Sequence, residues 1–171
     1  TPPTETSPLP LPDALPTSSF YRHDQSSEQG VMTRRNWVDV DFLQSLDLQL
    51  AAGRLFSPEF SADTLSKIIL NETAVRKYGF ASAQAALSQQ IKFKYQGQES
   101  PFEIVGVVKD FHFQDLHEPI APYSFELNRN RNFQYLIART RPETDWLSLI
   151  PKIESIWKRL VPGEPLEYSF L

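Results

Sequence analysis

Apolar and polar positions follow regular patterns from residue 31 onward. Residues 31–40 are rich in β-branched and aromatic side chains, which predicts a strand. Residues 67–70 predict a second, short apolar strand. Asn71 then caps a helix whose apolar positions recur at helical spacing, and Gly79 ends it. These signals predict a strand that leads directly into a short helix.

A β-hairpin is predicted next. Apolar side chains alternate with polar ones over residues 91–95 and again over residues 102–106, and Gly97 lies between the two runs. Alternation of this kind is typical of half-buried strands, and a glycine between them favours a tight turn. We therefore expect two antiparallel neighbours joined by a short loop.

The C-terminal third predicts a strand, an amphipathic helix and a second strand. The strands are expected at residues 133–140 and 166–170. Pro151 lies inside the helical pattern and predicts a kink or a later helix start. Apolar residues at spacings of three and four form one face of this helix: Trp146, Leu149, Ile150, Ile153, Ile156, Trp157 and Leu160.

These elements together predict an α+β fold. It would consist of a mixed sheet with a strand–helix–strand ferredoxin-like half-unit and an inserted subdomain of β-hairpin and helix. The matching half of the ferredoxin-like unit would have to lie upstream of residue 31, where the chain has no suitable sequence. The domain is therefore expected to be incomplete at its N-terminus.

The first 16 residues differ from the rest because they hold six of the 14 prolines. Proline lacks the backbone N–H, so this stretch cannot form a helix or a central strand. Three interpretations stay open: a proline-rich linker or recognition arm, part of a loop around residues 9–16, and translated sequencing-adapter sequence, which it resembles. Residues 18–30 are polar and predict a loop. The expected division is a disordered or non-native proline-rich leader at residues 1–30 and a domain at residues 31–171.

Composition narrows the classes of function. The chain has 171 residues and 40% hydrophobic residues, which fits one globular domain. Its net charge of −4 at pH 7 argues against a nucleic-acid surface, because phosphate binding needs clustered cations. The sequence has no cysteine, which excludes disulfides, thiolate metal sites and cysteine nucleophiles. It also contains neither a Walker lysine motif nor G-x-S-x-G, so nucleotide binding and serine hydrolysis are not expected.

The densest group of polar residues follows the second strand of the hairpin. Asp110, His112, Asp115, His117 and Glu118 lie within nine residues. The two histidines are five apart, which matches neither the i,i+4 spacing of a helical zinc pair nor the even spacing of one strand face. Asp and His at turns commonly satisfy backbone donors and acceptors. We therefore interpret the five residues as a candidate structural turn and predict no catalytic, metal or cofactor residues.

Five motifs resemble the extracytoplasmic domain of MacB-like and FtsX-like ABC transporter permeases. They are residues 37–43 (WVDVDFL), 50–56 (LAAGRLF), 69–75 (ILNETAV), 105–119 (VGVVKDFHFQDLHEP) and 165–171 (PLEYSFL). Their order along the chain is what makes the resemblance specific. It identifies residues 31–171 as a MacB-like periplasmic core domain.

The resemblance implies a domain on the periplasmic face of the bacterial inner membrane, flanked by membrane helices that lie outside this sequence. It implies a permease that dimerises and works with an ABC ATPase subunit or domain. The domain itself would be non-catalytic, without cofactor or nucleic acid. It would transmit ATP-driven conformational change and contact periplasmic partners or substrate. Two alternatives remain: an independent soluble binding module that uses the turn at residues 110–118 for a ligand or metal, and a metal-dependent hydrolase built on that turn.

Overall fold

The computed structural model describes residues 16–60, 63–112, 119–127 and 136–168. The strands are β1 (Thr17–Arg22), β2 (Val31–Val38), β3 (Leu50–Gly53), β4 (Lys67–Asn71), β5 (Gln90–Tyr95), β6 (Gln98–Val108) and β7 (Tyr123–Leu127). The α-helices are α1 (Phe42–Ser45), α2 (Asp63–Ser66), α3 (Glu72–Lys77), α4 (Ala83–Ala86) and α5 (Trp146–Leu160). The described residues divide into two compact units, one within 16–137 and the other within 138–168.

Six strands of the larger unit form a closed barrel in the order β1, β2, β7, β4, β6 and β5, with β5 pairing back to β1. The pairs β2–β7 and β4–β6 are parallel, and the other four are antiparallel. Closure depends on β6, which at 11 residues is long enough for two sets of partners. Its first half pairs with β5, its second half pairs with β4, and β3 pairs with its end. A closed barrel leaves no free edge on its own strands.

Local signals in the sequence produce several of these elements. Asn71 and Ser82 each accept a hydrogen bond from a backbone N–H at the start of α3 and α4. The turn between β5 and β6 contains Gln96 and Gly97, both with positive φ. The strands predicted at residues 31–40 and 67–70, the helix after Asn71 and the hairpin are therefore confirmed.

The core of the larger unit lies between the barrel wall and the two short helices that follow β4. The barrel and these helices contribute to one buried cluster: Phe20, Ile68, Leu70, Ala74, Val75, Tyr78, Ala86, Ile91, Ile104 and Val107. Two hydroxyls lie inside it, those of Thr33 and Tyr78, and they share a hydrogen bond of 2.5 Å. Burial raises the pKa of the Tyr78 phenol, which keeps it neutral.

A second group of rings covers the opposite face of β7. Side chains alternate across a strand, so Tyr123 and Phe125 point away from Ser124 and Glu126. The Tyr123 and Phe125 ring centroids are 4.9 Å apart. The Phe111 ring lies 5.4 Å from Tyr123, and the Phe42 ring lies 6.2 Å from Phe125. The chain that leaves β6 and the helix that follows β2 therefore pack on the same strand.

The prediction of a loop over residues 18–30 is wrong where β1 forms. Phe20 and Tyr21 of this strand are both buried. The strand pairs with β2 on one side and with β5 on the other. Hydrogen bonds to both neighbouring strands support a strand in which four of the six residues are polar, and the hydrophobic pattern of the sequence does not reveal these neighbours. The ordered fold therefore begins upstream of residue 31.

The mixed α/β character of the fold, with a mixed sheet, is confirmed, but the strand–helix–strand half-unit is not formed in the described residues. Residues 136–140 and 166–168 are not strands, and the remaining parts of those two predictions lie outside the described residues. A strand needs a neighbour to accept its hydrogen bonds, and the barrel closes on itself without them.

The predicted helix is present as α5. It begins at Trp146 and continues through Pro151, so the prediction of a later start is wrong. No helix of the described residues is long and apolar enough to cross a bilayer.

Candidate functional site: the polar junction at the start of α3

Three strands of the barrel end or begin at one place. Strands β4 and β6 run parallel, and their last residues, Asn71 and Val108, are paired. Strand β7 runs antiparallel to β4 and begins beside that end. Helix α3 starts directly after β4, so its unsatisfied N-terminal N–H groups face the segments that leave β6 and enter β7.

Asn71 joins the helix to the start of β7. Its Oδ1 accepts hydrogen bonds from the N–H of Ala74 at 3.0 Å and of Tyr123 at 2.9 Å. Its Nδ2 donates to the carbonyl of Ala121 at 3.0 Å. The side chain is fully buried, so each bond replaces one that water would otherwise make. Asn71 thus caps α3 and holds the entry to β7 with the same amide.

Asp110 caps the same helix from the exit of β6. Its Oδ1 accepts from the N–H of Thr73 at 2.8 Å, and its Oδ2 accepts from the Thr73 hydroxyl at 2.9 Å and from Arg76 Nη2 at 2.8 Å. The N–H of Asp110 donates in turn to Glu72 Oε2 at 3.2 Å. Partial burial raises the pKa of the Asp110 carboxyl, but the hydrogen bonds from Arg76 and Thr73 outweigh it and hold the pKa below its ordinary value.

The contacts of Asp110 are those of a helix cap. The carboxylate accepts three hydrogen bonds, one of them from Arg76, and these use three of its about four lone-pair sites. His112 lies on the surface two residues further on. Asp115, His117 and Glu118 lie outside the described residues, so the five-residue turn stays a prediction. In the described part of the chain, no group of three or more His, Asp or Glu side chains is placed to hold a metal ion.

The junction brings together residues that the sequence analysis treated separately. The sequence predicts Asn71 as a helix cap and Asp110 as part of a turn, and the structure places both at the first turn of α3. The roles of Thr73 and Arg76 were missed. Their signal is present, since an Arg four residues into a helix can reach a carboxylate placed at its N-terminus, but only the pairing of β4 with β6 locates that carboxylate.

Two bidentate ion pairs were also missed. Arg35 Nε and Nη2 each donate to a different carboxylate oxygen of Glu126 at 2.7 Å, and both residues are buried. Arg54 pairs in the same two-pronged way with the buried Asp63, at 2.5 and 2.6 Å. Charged residues in strand patterns are usually assigned to the solvent face, and only the closed barrel shows that Arg35 points inward.

Aromatic rings surround the guanidinium of Arg35. Its central carbon lies 4.6 Å from the ring centroid of Phe93, 4.8 Å from Trp37, 5.3 Å from Phe20 and 5.9 Å from Phe102. Cations are attracted to ring faces at such distances, and the attraction grows as water is excluded. The arrangement stabilises a charged pair inside the barrel, and the Ser18 hydroxyl accepts a further hydrogen bond from Arg35 Nη1 at 3.3 Å.

Comparison with known proteins shows which solved structures have a similar fold. No protein-family model matches the chain, and no curated protein matches it in sequence. The periplasmic region of MacB from Actinobacillus actinomycetemcomitans is similar in structure, with a TM-score of 0.59 at 14% identity. The match covers 85% of this chain and 63% of that region, so the chain spans less than two thirds of it.

A domain assigned to a permease protein from Porphyromonas gingivalis is similar at a TM-score of 0.60 and 16% identity, covering 91% of this chain and 76% of that domain. The extracellular domain of YknZ, a noncanonic ABC-type transporter from Gram-positive bacteria, gives a TM-score of 0.48 at 13% identity, over 67% of this chain and 51% of that one. That value is too low to carry an argument. The first two likenesses show that the chain has the fold of a MacB-type periplasmic domain. The resemblance drawn from the motifs is confirmed at the level of the fold.

Proposed function

We propose that the chain is the extracytoplasmic domain of an ABC transporter permease, on the outer face of the bacterial inner membrane. The observation that carries the proposal is the structural similarity of this chain to the periplasmic region of MacB, at a TM-score of 0.59 over 85% of this chain. The ordered motifs that predicted this family from the sequence support it independently. The proposed domain covers residues 31–171 and extends back to Thr17, because β1 completes the barrel.

Its proposed role is mechanical and non-catalytic: it transmits ATP-driven conformational change and contacts periplasmic partners or substrate. A closed barrel suits this role because it has no free edge along which strands can slide or separate. Every buried side-chain N or O in the described residues has a hydrogen-bond partner, which favours one rigid arrangement. The ATPase would be a separate subunit or domain, and the permease would act as a dimer.

The first test is the gene and its membrane topology. The full reading frame should encode apolar segments of ~20 residues on both sides of this region. A reporter fused at the position of the domain should be active only in the periplasm. A reading frame that encodes no such segment on either side, or a cytoplasmic reporter signal, would exclude the proposal.

The second test separates mechanical transmission from assembly. In the full permease reconstituted with its ATPase, loosening the barrel with Arg35→Met should leave ATP hydrolysis in place and reduce transport, because the motion no longer reaches the partner. Asp24→Asn changes an exposed surface pair and serves as the control. If transport and hydrolysis fall in parallel, the domain acts in assembly or catalysis instead of transmission.

The alternative of a metal-binding module is tested by zinc titration of the chain with calorimetry. We expect no stoichiometric binding, because the Asp110 carboxylate is already paired with Arg76. Stoichiometric binding that is lost in His112→Ala would establish a metal site at the turn and overturn the structural interpretation.

A further inference from the structure

The strands of the barrel are joined to their neighbours by ladders of unequal length. Strand β7 forms five residue pairs with β2 but two with β4, which are Ile69 with Phe125 and Leu70 with Ser124. The other boundaries between barrel strands have three to six pairs. The boundary between β4 and β7, which we call the β4–β7 seam, is therefore the shortest ladder of the barrel in the described part of the chain.

The next shortest ladder, between β1 and β5, has three pairs and further support from the backbone. The N–H of His23 donates to the carbonyl of Gln90 at 3.2 Å, which continues the pairing beyond the last residue of β1. Across the same boundary, the ring centroids of Phe20 and Phe93 are 5.6 Å apart. The β4–β7 seam is thus the weaker of the two boundaries in backbone pairing.

The polar side chains of β7 hold this strand to β2. The Ser124 hydroxyl donates to the carbonyl of Arg34 at 3.2 Å, and Glu126 pairs with Arg35 through two hydrogen bonds. If the β4–β7 seam opened, β7 would therefore stay with β2. The remaining ladders would still join the strands in the order β4, β6, β5, β1, β2 and β7.

Asn71 extends the short ladder with its side chain. In the register of the seam, the position after Leu70 and Ser124 places Asn71 opposite Tyr123. Here the side-chain amide bonds to the neighbouring segment: Oδ1 accepts from the N–H of Tyr123 at 2.9 Å, and Nδ2 donates to the carbonyl of Ala121 at 3.0 Å. An amide that supplies both an acceptor and a donor does what the backbone of a strand residue would do.

We propose that the barrel opens locally along the β4–β7 seam and that the Asn71 amide is the latch that keeps this seam closed. The open form is a minor state of the folded protein, reached without unfolding the other ladders. For the function proposed above, the latch matters because the domain transmits motion as one body only while the seam stays closed.

Native-state hydrogen exchange of the 171-residue chain, resolved by residue with NMR, tests the seam. Successive N–H groups of a strand point to opposite edges, and the N–H of Tyr123 points to Asn71. The N–H of Phe125 therefore faces β4, whereas those of Ser124 and Glu126 face β2. We expect the Phe125 amide to exchange at least about tenfold faster than its two neighbours, after correction for intrinsic rates. Equal protection of the three amides would mean that the seam opens only with the whole barrel, and would overturn the proposal.

Asn71→Ser tests the latch apart from the helix cap. Serine caps helices about as well as asparagine, but its side chain is too short to reach both Tyr123 and Ala121. Relative to Glu126, exchange of the Phe125 amide should rise by about tenfold, the effect of losing one or two hydrogen bonds. The control Ser82→Ala removes the cap of α4, whose hydroxyl accepts from the N–H of Ala85, and should leave that ratio unchanged. An unchanged ratio in Asn71→Ser, or the same rise in the control, would show that Asn71 is not the latch.

A reversible cross-link supplies a test that does not depend on the folding of Asn71→Ser. The chain has no cysteine, so Leu70→Cys/Ser124→Cys would place a single pair across the seam. Oxidation should slow exchange of the Phe125 amide to the level of Glu126, and reduction should restore the difference. Exchange that is equally fast in the oxidised form would place the opening elsewhere and overturn the proposal. These measurements use the isolated chain, so they succeed or fail independently of the membrane topology and transport tests described above.

Discussion

Asp110 shows how a single carboxylate at the end of a strand can fix the start of a helix elsewhere in the sequence. Asp110→Ala removes the acceptor for the Thr73 N–H and the partner of Arg76. We expect a loss of about 2 kcal/mol in the free energy of unfolding, measured by urea denaturation, because loss of a cap leaves a helix donor unsatisfied. Asp24→Asn, in an exposed pair with Arg22, should leave the free energy of unfolding close to that of the unmodified chain, because exposed ion pairs contribute little. If the two variants change the free energy of unfolding by the same amount, the cap contributes nothing to stability.

The same residue predicts a pH dependence of stability. The pKa of Asp110 is lowered in the folded state, so the folded protein favours the carboxylate. Its contribution is therefore full above the ordinary value of 3.8 and is lost as the pH falls below it. The stability difference between the unmodified chain and Asp110→Ala should be largest at neutral pH and shrink towards zero in acid. A difference that stays constant down to low pH would show that the stabilisation does not depend on the charge.

Arg35 and Glu126 are expected to be strongly coupled. Removing one partner leaves the other as a buried, unpaired charge, so Arg35→Met and Glu126→Leu should each lower the free energy of unfolding by about 3 kcal/mol or more. The double variant replaces both charges with apolar groups among aromatic rings and should be more stable than either single variant. Urea denaturation of the four proteins gives the coupling energy. Additive single effects would show that the two side chains do not interact across the barrel.

At the scale of elements, the approach of β3 to β6 depends on Gly106. A Cβ at this position would lie 2.2 Å from the carbonyl oxygen of Arg54, which is backbone and cannot move aside. Gly106→Ala should therefore separate β3 from β6 and cost about 3 kcal/mol, or prevent folding, as judged by thermal unfolding. Gly97 is the matched control. An alanine at this position would be strained by the φ of +84°, but its Cβ would meet nothing within 4 Å. Gly97→Ala should cost only about 1 kcal/mol; equal effects would mean that close strand approach is unimportant.

Elements whose signals are local were predictable from the sequence. The hairpin of β5 and β6 shows alternation on both sides of Gly97, and the start of α3 shows a capping Asn, so both could be found from a few neighbouring residues. Strand β1 was not predictable, because its polar residues form a strand only when β2 and β5 lie on either side. The partners of Asp110 were hidden for the same reason, since the parallel pairing of β4 with β6 brings together residues 37 positions apart.

For the whole molecule, closure of the barrel determines which strands are indispensable. Strand β1 links β2 to β5, and without it both would expose unpaired backbone groups and the core would lose the buried rings of Phe20 and Tyr21. Contacts of this kind join residues far apart in sequence, so the barrel should form and unfold as one unit. The chain between Thr17 and the end of β7 is thus the smallest piece in which every barrel strand has both neighbours.

Truncation tests this directly. A chain that begins at Pro16 keeps β1, and we expect it to unfold cooperatively at the same midpoint as the 171-residue protein. A chain that begins at His23 lacks β1 and should show no cooperative transition and bind a hydrophobic dye, because an opened barrel exposes its core. Phe20→Ala supplies a milder measurement and should cost about 3–5 kcal/mol. A cooperative transition without β1 would contradict closure as the basis of stability, whereas a lower midpoint for the chain beginning at Pro16 would assign the proline-rich segment to the folded domain.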